Sequence, residues 1–159
     1  MKYIKTVILL LLCSVIICSC SAEKSALDIV EDVRLRFSFK YGAVYSDEYG
    51  KWDAYCFTDD MKKAVLGENS GKFTYIRSVS GYFSRDMVSG AEFVAIELCD
   101  RSHRAEVMAL LYRRAAKKLD SDARVFCEGK FVFLVCDSKS EEIIEYVREK
   151  CKKALYFSS

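Results

Sequence analysis

Two hydrophobic periods alternate along the chain. Behind Ser25-Ala-Leu-Asp28, a capping-box start, Ala26, Ile29, Val30, Val33 and Phe37 recur at helical spacing on one face. That pattern predicts a helix ending near Lys40 to Gly42. The segment DDMKKAVLG, Asp59 to Gly67, predicts one or two further helical turns, with acids first and glycine as the stop. Phe73 to Tyr82 reads as a strand. Gly90 to Cys99 reads as a stronger one, with Phe93, Ala95 and Glu97 on one side and Val94, Ile96 and Leu98 on the other. A helix from Ser102 to about Leu119 follows, its stripe formed by Ala105, Met108, Leu111, Tyr112, Ala115 and Leu119. Arg124–Cys127 and Phe131–Cys136 read as two strands joined at Glu128-Gly129. The last helix opens with a second capping box, Ser138-Lys-Ser-Glu141, and buries Ile143, Val147, Cys151 and Ala154.

This order predicts an α+β domain: an N-terminal helix, then two strand-strand-helix units, with helices packed on one face of an antiparallel sheet. The segments FVAIELCDRSHRAEVMALL and FVFLVCDSKSEEIIEYV both run strand, Cys-Asp, polar cap, helix. They are either an internal repeat or a coincidence of strand-turn-helix grammar. Only residues 41–60 lose periodicity. There YGAVYSDEYGKWDAYCFTDD mixes aromatic rings with Gly and Asp. It reads as a loop or short hairpin whose rings cover one edge of the core. Alternatively Tyr45, Tyr49, Trp52 and Tyr55 form a binding surface for sugar or peptide.

The first residues are of another kind. Lys2 and Lys5 precede an apolar run, small and polar residues follow, and Glu23-Lys24 end it, the layout of an export signal. Residues 1–19 are assigned to the leader and 20–159 to a single domain. Ile17-Cys18-Ser19-Cys20 resembles a bacterial lipobox, and among Cys13, Cys18 and Cys20 only Cys20 follows a small residue. The resemblance implies a diacylglycerol on the Cys20 sulfur, hence a membrane partner and a place on the outer face of the cytoplasmic membrane. The alternatives are plain secretion after Ala22, or retention of the uncharged run Thr6–Ala22 as a span.

Composition changes the picture in two places. Of 25 basic residues Lys2 and Lys5 belong to the leader, leaving 23 against 23 acidic ones. A neutral domain lacks the footprint that nucleic-acid binding needs. Cys56, Cys99, Cys127, Cys136 and Cys151 are odd in number and show no metal-ligand spacing, so they read as buried free thiols rather than a disulfide framework. No metal or cofactor is expected.

Catalytic patterns are thin. Cys99 and His103 are four residues apart, but one ends a strand and the other enters a helix. Glu92 and Glu97 fall on opposite faces of one strand, which disfavours a carboxylate pair. Arg113, Arg114, Lys117 and Lys118 form a basic flank that either faces water or meets anionic lipid or wall polymer.

The leader with Cys20, the helix ending Val65-Leu66-Gly67, SGAEFVAIELCD with its helix through Arg113-Arg114, and ARVFCEGKFVFLVCDS together resemble an uncharacterised family of exported lipoproteins. That family occurs in clostridia and related Gram-positive bacteria. The Tyr-rich stretch before Asp60 departs from its pattern. The resemblance implies a location and a fold type, and it supplies no catalytic residues. The expectation is a non-enzymatic binding or envelope-interaction module, or else an envelope hydrolase with a cleft near 41–60.

Overall fold

The structure, a computed structural model, describes residues 24–85, 90–118 and 122–156. The leader, Cys20 and Leu119 lie outside them, as does the side chain of Ala154. The elements run α1 (Ala26–Arg36), β1 (Gly42–Ser46), α2 (Asp59–Leu66), a 3-10 turn (Ser70–Lys72), β2 (Ile76–Ser84), β3 (Glu92–Leu98), α3 (Arg104–Ala115), β4 (Arg124–Glu128), β5 (Phe131–Cys136) and α4 (Ser140–Tyr156). The five strands form one sheet in the order β1-β2-β3-β5-β4, and every neighbouring pair is antiparallel. The α+β class and the order of helix, then strand-strand-helix twice, stand as expected.

The helices do not share one face. Both central strands are buried along their whole length, so side chains on both sides of the sheet need cover. On one side Phe93, Ala95, Phe133 and Val135 meet Ile29, Val30 and Val33 of α1 and Ile143 and Val147 of α4. On the other Val94, Ile96, Leu98, Val132 and Leu134 meet Val107 and Leu111 of α3 and Val65 and Leu66 of α2. Phe133 stacks on Phe126 with ring centroids 4.7 Å apart.

Local chemistry sets the ends. At α1, Ser25 Oγ accepts from Asp28 N–H and the Asp28 carboxylate accepts from Ser25 N–H, a complete capping box. The helix stops at Arg36, earlier than its apolar spacing implied, because Ser38 turns left-handed with φ 53°. Thr58 caps α2, and Gly67 ends it at φ 95°. The expected Ser138 capping box at α4 is replaced by Asp137, whose carboxylate accepts from Lys139 N–H at 2.8 Å. Asp100 does the same for Ser102 N–H at 2.7 Å before α3.

The β4–β5 turn is Gly129-Lys130, one residue later than the sequence suggested, with Glu128 opposite Phe131. Glycine first, at φ 57°, is what a type II′ hairpin turn requires. Strand β2 also begins later than Phe73, because Phe73 to Tyr75 leave the 3-10 turn before pairing starts.

The 41–60 segment contains what the periodicity missed. Residues 42–46 are an edge strand, β1, placing Val44 on the α1 side and Tyr45 on the other. Opposite Tyr45 stands Gly81, where an added Cβ would lie 2.8 Å from the Phe83 ring. Gly81→Ala is therefore expected to lower stability by about 1–3 kcal/mol through overpacking. Gly71→Ala, where a Cβ meets nothing within 4 Å, should leave the denaturation midpoint close to the parent value.

Candidate functional site

The basic flank of α3 divides in two. Arg114 and Lys118 continue the stripe of Val107 and Leu111 at helical spacing, so they rise beside the sheet. There they meet Glu92, only 1% exposed at the start of β3. Arg114 grips both carboxylate oxygens, Nε to Oε1 at 3.1 Å and a terminal nitrogen to Oε2 at 2.9 Å. Lys118 Nζ lies 2.7 Å from Oε2. A desolvated carboxylate is costly unless its oxygens are satisfied, and this pair of cations satisfies both. The Arg114 guanidinium is held above its ordinary range, first by its hydrogen bond to Glu92.

Glu97, near the other end of β3, is buried on the opposite side. It is held by Lys130 at 2.9 Å, Arg77 at 3.4 Å and Ser78 Oγ at 3.3 Å. The two glutamates are structural anchors at the two ends of one strand, and they do not converge.

Arg113 and Lys117 remain exposed. With Leu66, Asn69, Phe73 and Leu110 they line a groove of about 460 Å³ between the end of α2 and the outer side of α3. Lys63 in its wall pairs with Asp60, and Glu106 with His103. Among the described residues Arg113 and Lys117 have no ion-pair partner, and they share the groove with the carboxylates of Glu68 and Glu106 and an apolar floor.

Of the aromatic candidates, Tyr45 and Tyr55 are in ring contact. Tyr45 packs between Tyr55 and Phe83, with centroids 5.8 and 6.0 Å away. Tyr49 is half-buried, and its hydroxyl is raised by that burial and then by Glu31 of α1. Trp52 is 95% exposed. Residues 47–55 are a closed loop: Ser46 N–H donates to Tyr55 O and Phe57 N–H to Ser46 O, both at 3.0 Å. Its tip is a β-turn in which Asp53 N–H donates to Gly50 O at 2.7 Å, with Lys51 and Trp52 as central residues.

No family model, curated protein or solved structure matches the chain. The resemblance to exported clostridial lipoproteins therefore rests on its motifs alone.

His103 stacks flat on Tyr75, centroids 4.0 Å apart, and its Nδ1 is 3.2 Å from Glu106 Oε2. Tyr75 Oη is buried without a well-aligned hydrogen bond. Burial first and the Glu106 carboxylate second push that hydroxyl up to about 12. Cys99 Sγ has another partner, the Thr74 carbonyl at 3.8 Å, so the histidine's contacts are with Tyr75 and Glu106.

All five described cysteines are free, but they are not all buried: Cys136 is, Cys99 is exposed and the rest are intermediate. Cys136 stands opposite Glu92 in the β3–β5 register. Burial first, then that carboxylate, push its thiol up to about 12. Cys151 is pushed up to about 11, chiefly by burial. Thiols of this kind are inert at neutral pH. Among the described residues no group of three His, Cys, Asp or Glu side chains could hold a metal ion.

Removing Arg114 would leave Glu92 buried with one cation instead of two. Arg114→Ala is expected to cost about 3 kcal/mol, whereas the exposed neighbour Arg113→Ala should change stability by no more than about 0.5 kcal/mol. Chemical denaturation of the two variants side by side measures both.

Proposed function

We propose that the protein is a lipoprotein held on the outer face of the cytoplasmic membrane through Cys20. Its domain would act as a non-enzymatic binding module for an anionic group of an envelope polymer. The anchor reading rests on Ile17-Cys18-Ser19-Cys20, where one cysteine follows a small residue at lipobox spacing. No helix among the described residues is long and apolar enough to cross a membrane.

The binding reading is carried by one observation: the α2–α3 groove, where Arg113 and Lys117, without an ion-pair partner among the described residues, stand on the α3 wall beside an apolar floor that also carries Glu68 and Glu106. The groove is open and shallow, which suits a polymer segment crossing it. Two cations offset by neighbouring carboxylates at a water-facing site give a modest, salt-screened attraction, so useful affinity would come from repeated anionic groups along the polymer. Of the four basic residues of the flank, only these two are free to make that contact.

An envelope hydrolase with its cleft beside 41–60 has less support. In that segment β1 is paired into the sheet, and Asp47, Glu48 and Asp53 accept from the backbone N–H groups of Val79, Leu27 and Tyr55.

Intact mass of the protein from the membrane fraction tests the anchor. A chain beginning at Cys20 with an added diacylglycerol is expected, and it should be absent from Cys20→Ala. An unlipidated chain beginning at Glu23 in the medium would sink the reading.

The groove is tested by sedimenting the protein with a poly(glycerol phosphate) polymer at rising salt. Arg113→Glu with Lys117→Glu is expected to abolish salt-sensitive binding while leaving the unfolding midpoint within about 0.5 kcal/mol of the parent. Undiminished binding by this variant would count against the groove.

A further inference from the structure

We propose that the 47–55 loop is a second membrane contact, with Trp52 seated among the lipid headgroups beside the anchor. This rests on the lipoprotein reading above. Three observations combine to support it.

The first is reach. From Cys20 to Ser25, where α1 is capped, the chain advances five residues. Fully extended, they span about 17 Å. The headgroup zone of one leaflet takes up about 5–8 Å of that. The first turn of α1 is therefore held within about 10 Å of the membrane surface, whatever path the chain takes.

The second is attachment. The opening turns of a helix have N–H groups without helical partners. One of them, Leu27 N–H, donates to the Glu48 carboxylate at 3.2 Å, so the loop itself caps α1. Trp52 lies four residues beyond Glu48, at most about 14 Å along the chain. This hydrogen bond joins the loop to the first turn of α1.

The third is the chemistry of the tip. Its β-turn presents Lys51 and Trp52, and the indole is 95% exposed. A large apolar ring held fully in water has no folded-state benefit. Tryptophan beside lysine is the composition that settles at a lipid-water interface, ring among the headgroups and ammonium toward phosphate. The loop's three acids are each engaged by the protein: Asp47 by Lys62 at 2.8 Å, Glu48 by Leu27 N–H, and Asp53 by Tyr55 N–H at 2.7 Å. The occupant is the anchoring membrane itself, since the tether brings that surface to the loop.

Trp52 is the sole tryptophan, so its emission reports on this site alone. The lipidated protein is reconstituted into phosphatidylglycerol–phosphatidylcholine vesicles, with and without dibrominated acyl chains. Emission is expected to shift to the blue relative to Cys20→Ala in buffer, to be mostly lost with brominated lipid, and to become resistant to aqueous iodide. A Trp52→Phe, Tyr112→Trp variant moves the reporter to α3 across the sheet, where emission should be the same with and without brominated lipid. If the parent floats with the vesicles yet its emission stays water-like, the anchor stands and the loop proposal fails. If the Tyr112→Trp reporter is quenched by lipid equally well, the domain lies on the membrane without using the loop, and the proposal also fails. If the mass carries no diacylglycerol and the protein does not float, the anchor reading falls and takes this proposal with it.

Discussion

The burial of β3 is the constraint on which the other elements depend. Every residue from Glu92 to Leu98 is buried, including two carboxylates. Its apolar residues alternate between two cores, so a helix layer is required on each side of the sheet. Its two acids require cations at fixed places. Glu92 draws the last turn of α3 onto the sheet through Arg114 and Lys118, and Glu97 draws in Lys130 from the β4–β5 turn. Hydrophobic cover alone would leave the angle of α3 loosely defined. The bidentate Arg114 contact gives that end of the helix a specific seat, and Arg104 at its start donates to the Gly129 carbonyl.

Helix and strand identities were readable because caps and periodicity agreed, as at Ser25, Gly67 and the strand FVAIEL. Strand β1 was not. In GAVYS only Val44 and Ser46 turn inward to full burial, and five residues with a glycine and a serine carry too little alternation. The two-sided packing had a signal that was passed over: FVAIEL and FVFLV are near-continuous apolar runs, the mark of strands covered on both faces.

The division of the basic flank also had a signal. Positions 107, 111, 114 and 118 form one helical row and 106, 110, 113 and 117 the adjoining one. A basic residue on the row of Val107 and Leu111 stands at the edge of the core and needs an acid. What the sequence could not supply was the acid's identity, because Glu92 reaches that row only through tertiary packing. The aromatic residues of 41–60 were ambiguous for a similar reason. Composition places rings in a segment, but whether they converge depends on the register of an edge strand and on turns within the loop.

The two strand-helix units are alike locally and opposite globally, and their strands differ by one residue in phase. Asp100 and Asp137 each accept from the N–H two residues on, turning the chain out of the strand into a helix. Phe93 and Phe131 face the same core. From Phe93 to Cys99 is six residues, and from Phe131 to Cys136 five. One residue of slip reverses the side to which the last strand position points. The exits therefore differ in phase, and α3 covers the face that α4 does not. An exact repeat would have stacked both helices on one side and left the other side of FVAIEL and FVFLV in water. The consequence reaches the surface. Helix α1 lies on the α4 side, while the groove between α2 and α3 lies on the other. The chain entering α1 and a ligand in the groove of Arg113 and Lys117 would therefore meet opposite faces of the sheet.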